Sequence, residues 1–105
     1  MAALESVDYD AVLAGRARVP EYVVYRTFVY ETVVLNLQTG KYHGLNHTAG
    51  RMLELLERSP TVGVAAAKLA DELSRPLREI EVDICELCTG LAERGLIDLG
   101  SSDDH

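Results

Sequence analysis

Hydrophobic positions along the chain follow two different periods. From Val19 to Leu45 they are dense and rich in β-branched and aromatic residues. Pro20 disfavours a helix start, and Tyr22 to Tyr30 then reads as a strand. Thr32 to Leu37 reads as a second strand, in which Val33, Leu35 and Leu37 alternate and are expected to share the buried face. Gln38-Thr39-Gly40-Lys41 is the turn, closed by Gly40 in a left-handed conformation. Tyr42 to Leu45 returns as a short third strand. The expectation is a three-stranded antiparallel meander.

From Asn46 onward the period becomes helical. Asn46 or Thr48 can cap a first helix, with Ala49, Met52, Leu53 and Leu56 on one face and Ser59-Pro60 as its end. Thr61 caps a second, whose stripe is Val62, Ala65, Ala66, Leu69 and Leu73. Ser74-Arg75-Pro76 breaks it. The third runs from about Leu77 to Arg94, with Leu77, Ile80, Ile84, Leu87 and Leu91 as its stripe and Gly95 as its stop. The expected fold is α+β: a three-stranded antiparallel sheet followed by three helices, winged helix-turn-helix-like with the sheet moved to the front. The domain is read as residues 19–99. Residues 1–18 are read as a mobile N-terminal arm that frays, folds back or touches a partner, and 100–105 as a disordered tail.

Composition narrows the classes of function. The 105 residues suit one domain, and 48% hydrophobic with 26% charged residues is a soluble globular composition. Met1 to Val12 lacks the basic start, apolar run and cleavage site of a signal peptide, and no segment approaches the roughly 18 apolar residues of a membrane helix. A cytoplasmic protein with no membrane partner is expected. The net charge is −7, and the ten Lys and Arg residues are scattered. A winged-helix DNA-binding regulator is the alternative that the helix order raises. Its recognition helix would present Glu79, Glu81, Asp83, Glu86 and Glu93 to phosphate, against Arg78 and Arg94. No nucleic-acid partner is therefore expected.

Candidate chemistry is sparse. Cys85-Glu86-Leu87-Cys88 is a C-x-x-C pair, but it lies mid-helix, where no helix N-terminus lowers a thiol pKa. A structural zinc needs four ligands, and His43, His47 and His105 have no diagnostic spacing to the pair. The cysteines are read as packing residues on the flank of the helix stripe, a flank that could also wall a groove. No phosphate loop, G-x-S-x-G, H-E-x-x-H or Ser/His/Asp grouping occurs. Neither enzymatic activity, a metal nor a cofactor is expected. What remains is the third strand, whose outer edge would be unpaired and open to strand addition beside the third helix. The competing expectation is an edge covered by the protein's own arm or paired in a dimer.

The run from Val33 to Ala49, VVLNLQTGKYHGLNHTA, resembles the signature of the PqqD-like proteins: strand, "TG" turn, aromatic strand, then "LN" into a helix. Glu79 to Ile84 and Leu91 to Ile97 are similar to that family's third helix and closing "GL(I/V)". The resemblance spans about Val19 to Leu99. It implies a non-catalytic recognition element for ribosomally synthesised, post-translationally modified peptides. In that family the precursor's leader adds as an antiparallel strand to the third strand, beside the third helix. By position this implies Lys41, Tyr42, His43, Gly44 and Leu45 on the strand. It implies Asp83, Ile84, Leu87 and Cys88 on the helix wall, with Cys85 and Glu81 at its margin. The implied partners are a precursor leader peptide and a modifying enzyme, either a radical SAM enzyme or a transglutaminase-type leader peptidase. A monomer is expected, with a dimer as the alternative.

Overall fold

The caps read from sequence are where the helices begin. Asn46 Oδ1 accepts the Ala49 amide at 2.8 Å and starts α2 (His47–Arg58). Thr61 Oγ1 accepts the Val64 amide at 3.1 Å and starts α3 (Val62–Leu73). After the Ser74-Arg75-Pro76 break comes α4 (Leu77–Glu93). Gly95, at φ 72°, ends α4 in a Schellman motif: its amide bonds the Ala92 carbonyl at 3.0 Å, and the Leu96 amide bonds the Leu91 carbonyl at 2.9 Å. The computed structural model describes residues 8–101.

Three strands precede these helices in one antiparallel sheet: β2 (Val23–Thr27), β3 (Glu31–Asn36) and β4 (Tyr42–Asn46), in spatial order β2-β3-β4. Register pairs Val24 with Leu35 on one side of β3 and Val34 with His43 on the other. The β3–β4 turn is held by Asn36, whose Oδ1 accepts the amides of Gln38 and Thr39, and by Gly40 at φ 74°. The expected α+β architecture, a three-stranded sheet followed by three helices, is the observed one.

The face of β3 is corrected. Thr32, Val34 and Asn36 point into the core; Val33 and Leu35 are half-buried on the opposite face, and Leu37 is 57% exposed. Two polar residues face inward because each has a structural partner. Asn36 ties the turn, and Thr32 lies under Gly50 of α2, with its hydroxyl 3.2 Å from that of Thr27. Hydropathy alternation alone therefore pointed the wrong way. The helical stripes rotate slightly too. Leu73 and Leu77 are exposed beside the break, and Ala70, Cys85 and Cys88 take interior places.

The described ends are ordered: residues 9–18 of the arm take the fold-back alternative, and the expected tail begins later than residue 100. Residues 9–14 form a short helix, α1 (Tyr9–Ala14), capped by the Asp8 carboxylate and packed on α3 and α4. β1 (Gly15–Arg18) pairs antiparallel with β5 (Asp98–Ser101), so Gly100 and Ser101 belong to a strand, not to a tail. Residues 1–7 of the predicted arm and 102–105 of the predicted tail lie outside the described residues. The core is continuous across these elements, with Val34, Leu53, Val62, Leu69, Ile80, Ile84 and Leu91 almost fully buried. At the surface, Arg51 of α2 holds Glu72 of α3 at 2.8 Å and Glu54 at 3.1 Å. Among the described residues no helix is long and apolar enough to cross a membrane.

Candidate functional site: the cleft between β4 and α4

β4 is an edge strand. Antiparallel pairing sends a residue's amide and carbonyl to one side only, alternating along the strand. The Asn36 amide donates to the Lys41 carbonyl at 2.9 Å, so Lys41, His43 and Leu45 turn their backbone groups toward β3. Tyr42 and Gly44 therefore turn theirs outward. Among the described residues nothing pairs with this edge, because residues 15–18 are engaged with β5 instead.

The edge borders a cleft. One part, of about 290 Å³, is lined by His43, Gly44 and Leu45 of β4 and by Glu86, Leu87, Gly90, Leu91 and Arg94 around α4. A second part, of about 690 Å³, continues past the hairpin turn. It is lined by Asn36, Thr39, Gly40, Lys41 and Tyr42 on one side and Leu96 on the other. His43 and Arg94 line both parts. The floor is apolar and the rims carry charge. An extended peptide laid here could bond to the Tyr42 and Gly44 backbone and bury side chains against Leu45, Leu87 and Leu91.

Of the sequence-derived candidates, the structure brings Lys41, Tyr42, His43, Gly44, Leu45 and Leu87 to the cleft. Ile84, Cys85 and Cys88 are fully buried and offer a ligand no surface. Cys85 points to the other side of α4, where its Sγ lies 3.9 Å from the Tyr9 carbonyl. Burial pushes its thiol up to about 11 and that of Cys88 up to about 12. That is the opposite of an activated thiol, and both side chains pack as small apolar groups. Glu81 and Asp83 lie outside the cleft lining, within 4 Å of Arg78 and Arg75 respectively. His47 heads α2 and is exposed.

Sequence reasoning missed Glu86, Gly90, Leu91, Arg94 and Leu96 as cleft residues. The signal was present. Taking Leu87 as an anchor, steps of three and four along a helix reach Gly90, Leu91 and Arg94. The helix stripe had assigned Leu91 wholly to the core and Arg94 to a terminus.

Comparison with known proteins fits this geometry. Residues 31–97 match the family described as coenzyme PQQ synthesis protein D (PqqD). The chain belongs to the PqqD family. No curated protein matches its sequence significantly. Two solved structures are similar to this PqqD-family chain. One is TbiB1 in complex with the TbiA(beta) leader peptide, at 29% identity and TM-score 0.68, covering 77% of this chain and 94% of that one. The other is a lasso peptide synthetase B1 complexed with the leader peptide, at 28% identity and TM-score 0.68, covering 79% of this chain and 98% of that one.

The family and the surface together remove the DNA-binding alternative. On α4, Glu79, Glu81, Asp83, Glu86 and Glu93 are wholly or partly accessible. Arg78 is spent on Glu81, at 3.4 Å, and on the Tyr9 ring, at 5.4 Å. A helix so charged is repelled by phosphate.

Proposed function

We propose that this PqqD-family protein captures the leader of a ribosomally made precursor peptide and presents it to a modifying enzyme, working by binding and not by catalysis. The observation that carries the reading is the unpaired β4 edge facing an apolar cleft walled by α4. The leader adds antiparallel to β4. Its backbone bonds to Tyr42 and Gly44, and its side chains meet Leu45, Leu87 and Leu91. Both similar structures hold a leader peptide, which supports the same class of ligand here. Lys41 to Leu45 and Leu87 are the contact residues we carry forward, joined by Glu86, Gly90, Leu91 and Arg94. The enzyme served is a leader peptidase of transglutaminase type or a radical SAM enzyme, and the protein works as a cytoplasmic monomer.

Ordering a flexible leader offsets part of the gain from apolar burial, so micromolar to submicromolar affinity is expected. The test is titration of fluorescein-labelled leaders from any short precursor reading frames found beside this gene, with labelled duplex DNA as comparison. Saturable leader binding at physiological salt, with none to duplex, is the expected result. Absence of leader binding by a folded protein overturns the proposal.

A further inference from the structure

The protein is acidic overall, yet one end of the cleft is not. Lys41, His43 and Arg94 line the part beside the hairpin turn. Among the described residues neither Lys41 nor Arg94 is in a salt bridge. The Arg94 guanidinium has only a long bond, 3.4 Å, to the Gly90 carbonyl. By contrast, the two arginines near the start of α4 are paired: Arg75 with Glu79 and Asp83, and Arg78 with Glu81. The carboxylate that lines the cleft is Glu86, which belongs to the part flanked by Gly44 and Leu45 and not to the part beside the turn. The groove is therefore cationic at the turn, whereas in the other part Glu86 offsets Arg94, which lines both.

We propose that Lys41 and Arg94 form a carboxylate-reading end of the groove, which takes an Asp or Glu side chain of the captured peptide. The inference rests on strand capture at β4. A strand antiparallel to β4 runs from the Asn46 end toward the Lys41 end. The carboxylate it presents to Lys41 and Arg94 thus lies toward the C-terminal end of the bound segment. Arginine suits the role because its planar fork can hold a carboxylate through two parallel bonds. Backbone pairing alone tolerates slippage, because it is blind to side chains. A charge contact at one end and Glu86 at the other fix both register and direction. The ligand class is narrowed accordingly: an extended peptide with an acidic residue late in the bound stretch, despite the protein's net charge of −7.

The test uses a displayed library of random twelve-residue peptides, selected on the full-length protein and on two variants. Selection on the wild type is expected to enrich Asp or Glu at one position C-terminal to the apolar positions, by about tenfold over the input. Selection on Lys41→Glu/Arg94→Glu is expected to lose that preference or turn it to Lys or Arg while keeping the apolar positions. Gly44→Pro, which deletes an edge amide, reports separately on strand capture. A wild-type motif that is lost in Gly44→Pro but has no acidic position, or the same acidic position in the Lys41→Glu/Arg94→Glu selection, overturns the carboxylate reading and leaves strand capture standing. A motif unaffected by Gly44→Pro, or no motif at all, overturns strand capture and this inference with it.

Discussion

Replacing Gly44 by proline separates capture by the edge from every other role of β4. The Gly44 amide points away from β3, so proline removes no bond of the internal ladder. Edge strands tolerate proline on their open side, and His43 before it is already extended, as a residue preceding proline prefers. The bound leader loses one hydrogen bond, about 0.5–1.5 kcal/mol net, and one of its carbonyls is left unsatisfied in a partly dry cleft, about 1–3 kcal/mol. These overlap, giving roughly 1.5–3 kcal/mol, or about ten- to a hundredfold in Kd. Gly44→Ala is the control. Its methyl would meet only the far end of the Glu31 side chain, 3.1 Å away, and it keeps the amide, so its Kd should stay within about twofold of wild type. Fluorescence anisotropy with labelled leader gives both affinities, and circular dichroism with thermal melts checks folding. If Gly44→Pro melts like the wild type and binds the leader at full strength, the hydrogen-bonding scheme at this edge is wrong.

Three further outcomes test the fold that holds the site. Gly50→Ala should destabilise by about 1–3 kcal/mol in urea, even after helix propensity returns about 1 kcal/mol. The new methyl would overlap the Thr32 hydroxyl and lie 2.8 Å from Thr32 Cβ, so a gain in stability would contradict the packing of α2 on β3. Ser74 sits at φ 54°, a conformation unfavourable for any residue with a Cβ, and Ser74→Gly should stabilise by about 0.5–1 kcal/mol once glycine's extra unfolded entropy is deducted. Burial raises the pKa of both thiols in the folded state, to about 11 for Cys85 and about 12 for Cys88. The stability this confers is complete below the ordinary thiol range and is lost as pH climbs from there toward those values. Melting temperature should therefore fall more steeply above about pH 9 in the wild type than in Cys85→Ala/Cys88→Ala, and equal slopes would refute the buried placement.

Order and capping were legible in the sequence because they are set locally. Asn46, Thr61, Gly40 and Gly95 each act within a turn of the chain, and all four do what their side chains or their lack of one dictate. Facing was less legible, because it depends on partners distant in sequence. Thr32 and Asn36 look like solvent positions until Gly50, Thr27 and the hairpin turn supply contacts. The β1–β5 pairing joins residues about eighty apart, and neither short segment carries a period of its own. At the site, the strand half could be placed because an edge follows from strand order. On the helix, Leu87 lines the cleft as its place implied, but Ile84, Cys85 and Cys88 pack inward, and Gly90 and Arg94 beside Leu87 take their place in the lining.

Amide hydrogen exchange at β4, with and without the leader, tests the central claim most directly. The amides of His43 and Leu45 are bonded to β3 in the free protein and should change little. Those of Tyr42 and Gly44 face the open edge and should slow by about tenfold or more at saturating leader. Unchanged exchange at Tyr42 and Gly44 in the leader-bound protein, or new protection at Tyr25 on the opposite edge of the sheet, would contradict capture at β4.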